Sequence, residues 1–344
     1  MSDVLPRDES FVWRDSEWRA VAHAWIEDEV AALGLEIDGE ITQPHVQWWS
    51  TVLRVPTAAG ALWFKASQPS GAFEAPLTML LAEIWPDETA RIIAADTSRG
   101  WTLTRDSGVR LRDIEGGPPP VERWAELLPR YAELQLELAD RRDQLLDLGV
   151  PNLGLAVLPA ELETLVDEPD LLMLGETDGL SMAELDLVRA GLDEFAARCR
   201  RLSDFGIPES LQHDDLHDGN VFVRNGRYVI SDWGDACISH PFHSLVVTLR
   251  ALAYFKGWGA GGPEVTRLRD AYLEPWHRFG SAADLVAAAE LARQTGTIQR
   301  SLAWRRAVSM MLPAEFAEHA DSIAYGLRLY LKDGPFGTWD DGGS

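Results

Sequence analysis

The chain has 344 residues, 46% of them hydrophobic and 25% charged. That is enough apolar material to bury more than one core and too much for a disordered chain. A formal charge of −24, from 31 basic and 55 acidic residues, argues against nucleic acid and anionic membranes as partners.

In chain order, Trp18, Val21, Ala22, Trp25 and Ile26 recur at helical spacing and predict a packed helix from about Asp15 to Leu33. Two strands are expected next, Ser50 to Val55 and Ala61 to Ala66, with Pro56 to Gly60 as the turn between them. Phe73 to Leu81 then reads as an amphipathic helical segment. The loop Gly116-Gly117-Pro118-Pro119-Pro120 is a natural boundary, beyond which the pattern turns helical. Trp124, Leu127, Leu128, Tyr131, Leu134 and Leu138 mark one long helix, and Leu158 to Leu165 and Met182 to Leu202 suggest two more. Late helices are expected over His243 to Lys256, Val265 to Phe279, Ala282 to Thr295 and Ile298 to Val308, separated by Gly- or Pro-containing breaks, before a polar tail from Asp333 to Ser344. Two cysteines without a C-x-x-C pair, no signal-like opening and no bilayer-length apolar run fit a soluble cytoplasmic protein with reduced thiols.

The chemistry concentrates in Gln212 to Gly234, QHDDLHDGNVFVRNGRYVISDWG. His213, Asp215 and Asn220 form H-x-D-x-x-x-x-N, and an apolar strand pattern leads on to Asp232-Trp233-Gly234. Asn220 to Val223 and Tyr228 to Ser231, joined through Asn225-Gly226, read as a β-hairpin whose ends would bring Asn220 and Asp232 close together. Transfer of a γ-phosphoryl group to an alcohol needs an oriented hydroxyl and a cation on the phosphates. Asp215 would accept the hydroxyl proton, and Asn220 and Asp232 would give Mg2+ the hard oxygen ligands it prefers.

The same block resembles the aminoglycoside phosphotransferase family, whose H-G-D-x-H-x-G-N and I-D-W match His213 to Asn220 and Ser231-Asp232-Trp233. Asp214 stands where that family usually has Gly, and His240 to Ser244 replaces its usual Gly-Asp-Pro-x-x-Asp run. The resemblance implies an α+β, bilobal protein-kinase-like fold, with a small β-rich lobe over residues 1–108 and a larger helical lobe over 109–344. It also implies a strand lysine for the nucleotide phosphates and a helix glutamate to orient it. Lys65 and Glu74 fit those roles, with Glu83 in reserve. There is no Gly-rich phosphate loop before the first strand, so backbone N–H groups and a hydroxyl such as Ser50 or Thr51 would cover the phosphates. Trp101 to Gly108 resembles the strand that runs into the hinge, with Thr104 and Asp106 as hinge contacts for the purine of ATP or GTP.

The function expected is therefore Mg2+-dependent transfer from a nucleoside triphosphate to a hydroxyl of a small molecule, an aminoglycoside, amino sugar or similar metabolite. Two other classes remain open at this level. One is a nucleotide-binding scaffold without turnover. The other is a metal-dependent hydrolase using His213, His217 and Asp215, since two histidines four apart could bind zinc on a helix. Asp235 is a candidate substrate contact or helix cap, Trp258, Trp276 and Trp304 are candidates for stacking or for packing, and Arg300, Arg305 and Arg306 are candidate contacts to an anionic group.

Overall fold

The computed structural model describes residues 9–116, 121–259, 261–308, 311 and 319–332. The tail from Asp333 and most of the Gly116 to Pro120 loop lie outside these residues. The chain divides into two compact units, one comprising 1–108, 223–234 and 307–318, the other 109–222, 235–306 and 319–344.

The first unit is built on an antiparallel sheet. Helix α1 (Ser16–Ala32) starts at Asp15, whose Oδ1 accepts from the backbone N–H groups of Glu17 (2.8 Å) and Trp18 (2.9 Å), satisfying donors that a helix start leaves open. Strands β1 (Thr42–Val46), β2 (Ser50–Val55) and β3 (Leu62–Ser67) follow, then helix α2 (Glu74–Ile84), β4 (Ile92–Asp96) and β5 (Trp101–Arg105). The sheet order is β1-β2-β3-β5-β4. Alternation along β3 buries Leu62, Phe64 and Ala66 and leaves Trp63 and Lys65 half-buried on the other face. Phe64 meets Trp101 edge-on, 5.3 Å between ring centroids, and Trp18 and Trp25 pack against the same two rings. The tryptophan stripe of α1 is thus core. The two strands not anticipated from the sequence, β1 and β4, are the sheet's edges; β1 carries Pro44 and no residue of β4 is fully buried, so neither shows the alternation of a half-buried strand.

The second unit is mainly helical. After the two-residue strand β6 (Val109–Arg110) come α3 (Val121–Leu138), α4 (Arg142–Asp147), α5 (Leu158–Leu165), α6 (Met182–Ala190) and α7 (Leu192–Ser203). The single helix expected from Met182 to Leu202 is broken at Gly191, whose N–H returns to the carbonyls of Leu187 and Val188. Strand β7 (Ser210–Gln212) leads into the motif, after which the chain enters β8 (Val221–Arg224); the rest of that hairpin, with β9 (Arg227–Ile230) turned at Asn225 and Gly226, both at positive φ, is counted with the first unit. Strand β10 (Cys237–Ser239) pairs antiparallel with β7, Cys237 opposite Gln212. The rest is α8 (Ser244–Lys256), α9 (Pro263–Leu273), α10 (Ala282–Val308) and α11 (Ala320–Leu331).

The sequence predicts a break near Gly296, but α10 runs through it. A Cβ at Gly296 would stand 2.7 Å from Val246 Cγ2 and 3.1 Å from His243 Cδ2. The glycine serves the close approach of α10 to α8 rather than a helix end. Among the described residues no helix is long and apolar enough to cross a membrane. Both cysteines, Cys199 and Cys237, are buried and free.

Candidate active site

The motif loop of the second unit is held by buried polar groups. Its His213 is fully buried, its N–H donates to the Tyr131 hydroxyl at 2.9 Å, and its Nδ1 accepts from the Asp215 N–H at 3.3 Å. Tyr131 is itself fixed by Ser244 Oγ at 3.0 Å. Asp214 adopts φ +60°, a conformation glycine enters freely and aspartate tolerates. Downstream, the Thr248 hydroxyl of α8 donates to the Leu216 carbonyl at 2.8 Å.

Asp215 stands out of this scaffold about one quarter exposed. Oδ1 accepts from Arg300 Nη2 at 3.1 Å; Oδ2 accepts from Asn220 Nδ2 at 3.0 Å and lies 3.3 Å from His217 Nε2. Burial pushes this carboxyl up, but the Arg300 charge, and after it His217 and His213, hold it well below the usual carboxylate range. Arg300 also donates from Nη1 to Asp235 Oδ2 at 2.7 Å and to the Asp214 carbonyl at 3.0 Å. Burial works against its charge, and Asp215, Asp235 and Asp214 together raise its pKa. Asp218 and His217 are braced by Arg112, whose Nη2 is 3.0 Å from each of Asp218 Oδ1 and His217 Nδ1.

The first unit carries a second constellation. Lys65 Nζ is 2.6 Å from Glu74 Oε1 and 2.5 Å from Asp232 Oδ1, and Ser67 Oγ donates to Glu74 Oε2 at 2.9 Å. Burial works to lower the Lys65 pKa, but Asp232 and then Glu74 raise it, so the ammonium stays charged. Asp232, at φ +66°, follows β9, which is anchored by the Ile230 N–H on the Glu88 carbonyl at 2.8 Å. Glu83 is exposed. Ser50 is buried opposite Ser67, and Thr51 Oγ1 donates to the His45 carbonyl. Thr104 Oγ1 donates to the Trp63 carbonyl at 3.3 Å; Asp106 accepts from Trp63 Nε1 at 2.9 Å and from the Gly108 N–H at 2.8 Å. The Thr104 side chain is thus engaged with β3, and that of Asp106 with β3 and its own turn.

The model of the phosphotransferase enzyme family, APH, matches residues 102–291, more than half of the chain and inclusive of Asp215, Asn220 and Asp232. The chain belongs to this family. No curated protein matches it in sequence. Among solved structures it is similar to a Plasmodium vivax ethanolamine kinase at 13% identity and a TM-score of 0.62, covering 96% of this chain and 92% of that one. It is also similar to the macrolide 2'-phosphotransferase MphH of Brachybacterium faecium, 16% identity, TM-score 0.55, 87% and 97% covered. A third is the GDP complex of aminoglycoside 2'-phosphotransferase-IIIa, 15% identity, TM-score 0.56, 91% and 97% covered. At these identities the likeness establishes the fold, which is the α+β, bilobal, kinase-like one.

Taken one at a time, the side chains of Asn220 and Asp232 each carry an oxygen of the kind a hard cation takes. Asn220 spends its amide nitrogen on the Asp215 carbonyl (2.9 Å) and carboxylate (3.0 Å), which leaves the amide oxygen as the atom to offer a cation. Among the described residues no three His, Cys, Asp or Glu side chains are grouped to hold a metal ion. The hydrolase arrangement also fails on its histidines. His213 is buried with Nδ1 facing a backbone N–H, and His217 Nδ1 accepts from the Gly219 N–H at 2.9 Å, so both rings brace the loop. Arg300 and Asp235 are the members that motif spacing could not assign. Arg300 lies 85 residues beyond Asp215 on a helix with no local sign of the contact.

Proposed function

We propose that the protein transfers the γ-phosphoryl group of ATP or GTP to a hydroxyl of a small molecule. The bond between the γ-phosphorus and its bridging oxygen breaks, a phosphorus–oxygen bond to the acceptor forms, the hydroxyl proton passes to Asp215, and the nucleoside diphosphate leaves. Lys65 binds phosphate oxygens with its ammonium, and Glu74 keeps that ammonium in place. Asn220 and Asp232 would hold Mg2+, which when bound neutralises charge on the phosphates. The unit over residues 1–108 would serve the nucleotide and the helical unit the acceptor.

The observation that carries this reading is the state of Asp215. Oδ2 is shared by Asn220 and His217, while among the described residues Oδ1 accepts only from Arg300, so one lone pair remains for a hydroxyl. A carboxylate of low pKa is a weak base, which suits a loose transition state in which orientation of the nucleophile matters more than early proton removal. The test is Mg2+-dependent ADP release with ATP over a panel of hydroxylated acceptors, with Asp215→Asn alongside. The expected result is acceptor-stimulated turnover that falls by about two to four orders of magnitude in the variant. Nucleotide binding with turnover that Asp215→Asn leaves intact would refute the role of Asp215.

A further inference from the structure

Arg112 lies in the short helical turn Leu111–Gly116, 105 residues before His217, and is pinned to the motif loop by backbone and side chain alike. Its N–H donates to the Asp218 carbonyl at 3.1 Å, and Leu111 beside it is fully buried. Its guanidinium donates to Asp218 Oδ1 from Nε at 3.2 Å and from Nη2 at 3.0 Å, and Nη2 is also 3.0 Å from His217 Nδ1. Gly219 leaves room for this arrangement, because a Cβ there would collide with Arg112 Nη2 and stand 2.7 Å from His217 Cε1. Arg112, Asp215, His217 and Asn220 all belong to the second unit.

These contacts decide where the His217 proton sits. Nδ1 faces the Gly219 N–H at 2.9 Å and Arg112 Nη2 at 3.0 Å. A backbone N–H and a guanidinium can only donate, so Nδ1 presents its lone pair to both. In the neutral imidazole the one proton is then on Nε2, the atom 3.3 Å from Asp215 Oδ2. The opposite tautomer would set an N–H against two donors and turn a bare nitrogen lone pair toward a carboxylate oxygen. Oδ2 therefore has two donors beside it, His217 Nε2 and Asn220 Nδ2 at 3.0 Å, while Oδ1 accepts from Arg300. The terminal torsion of an aspartate is soft, so a carboxylate gripped at one oxygen can still pivot. Gripped at both, it keeps the free lone pair of Oδ1 in one direction.

We propose that Arg112 is a positioning residue for phosphoryl transfer: through His217 it fixes the orientation of the Asp215 carboxylate, and so the direction in which Oδ1 meets the acceptor hydroxyl. The proposal rests on the phosphotransferase reading and deepens it. No proton passes to or from His217, and the transfer step is unchanged. Misalignment of a group that orients the nucleophile is a loss of rate rather than of affinity, so the effect of Arg112 falls on kcat.

Two measurements test it. The first is nitrogen NMR of the His217 ring, its resonances identified among those of the eight histidines by their loss in His217→Phe. The wild-type ring is expected to show an unprotonated Nδ1 and a protonated Nε2, with Arg112→Met shifting Nδ1 and Asp215→Asn shifting Nε2. The second is steady-state ADP release from Mg2+-ATP with ethanolamine, glucose and kanamycin as acceptors. Rates are set per ADP-binding site counted by calorimetry, so that lost folded protein is not read as lost rate. Arg112→Met should lower kcat by about tenfold while KM for ATP and for the acceptor changes by less than about threefold. Arg112→Lys, which keeps the charge and a donor and supplies a second variant should the first fold poorly, should recover part of the loss. Adding Arg112→Met to His217→Phe should cost less than about twofold more, because the arginine acts through the imidazole. A ring protonated on Nδ1, full kcat in Arg112→Met, or losses in the two single variants that multiply in the double would overturn the proposal. Wild-type protein that binds ADP and turns over none of the three acceptors would count against the phosphotransferase reading. The ring spectra then decide the orientation alone: it stands if Arg112→Met moves Nδ1 and Asp215→Asn moves Nε2, and it is overturned if either nitrogen stays in place.

Discussion

The guanidinium of Arg300 donates from Nη2 to Oδ1 of Asp215 over 3.1 Å, across 85 residues of sequence. The contact fixes the carboxylate rotamer and keeps it ionised, since the Arg300 charge is the largest influence opposing burial at Asp215. Arg300→Met should therefore lower kcat by about ten- to a hundredfold and move the acid limb of the kcat/KM profile to higher pH, because only ionised Asp215 can accept the hydroxyl proton. Asp235 would also lose its ion-pair partner, at a cost of about 1–3 kcal/mol in stability. Adding Asp235→Asn to that variant should restore part of the stability and none of the acid limb. A pH profile identical to wild type would show that Arg300 acts through folding alone.

Lys65 is held between Glu74 at 2.6 Å and Asp232 at 2.5 Å. Removing the Glu74 charge leaves the ammonium with one partner and free to follow Asp232. Glu74→Gln is expected to weaken ATP binding by about tenfold and to lower kcat as well. Ser67→Ala, which removes only the 2.9 Å hydroxyl bond to Glu74, should cost about 1 kcal/mol or less of the same binding. Calorimetric titration of Mg2+-ATP into each variant checks both, and wild-type affinity in Glu74→Gln would refute the positioning role.

The motif loop and the Lys65 strand were legible in the sequence because each depends on local pattern. Asp218-Gly219-Asn220 marks a loop, Asn225-Gly226 a tight turn, and the β3 alternation that buries Phe64 directs Lys65 to the other face. What escaped was set by tertiary contact. Gly296 looked like a helix break because its reason lies elsewhere, in Val246 of α8 and His243 just before that helix. The edge strands β1 and β4 lack a buried face to write into the sequence. Arg300 sits among helical residues with no local sign of partnership, and its place beside Asp215 exists only once α10 is packed.

Gly296 offers a test of that packing. Alanine is the better helix former by about 1 kcal/mol, so an exposed mid-helix glycine would gain from the change. Here the new Cβ would stand 2.7 Å from Val246 Cγ2, and overpacking of a tight core contact costs about 1–3 kcal/mol. Gly296→Ala should lower the thermal midpoint, and Gly296→Ala with Val246→Ala should recover part of the loss. A midpoint raised by Gly296→Ala would mean that α8 and α10 do not approach so closely.

Asp214 makes stability depend on pH in a direction opposite to most acids. Burial raises its carboxyl to about 7, against the Arg300 charge that lowers it and with Asp235 raising it further; Oδ2 is buried without a hydrogen bond. Below about pH 4 the folded and unfolded chains are both protonated here and the group contributes nothing to the slope. Between about pH 4 and 7 the unfolded state releases this proton while the folded state keeps it, so stability falls by about 1.4 kcal/mol per pH unit from this group. Asp214→Asn keeps a residue that tolerates φ +60° and removes the titration. Relative to wild type it should gain stability as pH rises from 4.5 to 8, whatever its offset at low pH, as read from urea midpoints at each pH. A wild-type-to-variant difference that stays flat over that range would mean that Asp214 is ionised in the folded protein, its charge carried by Arg300.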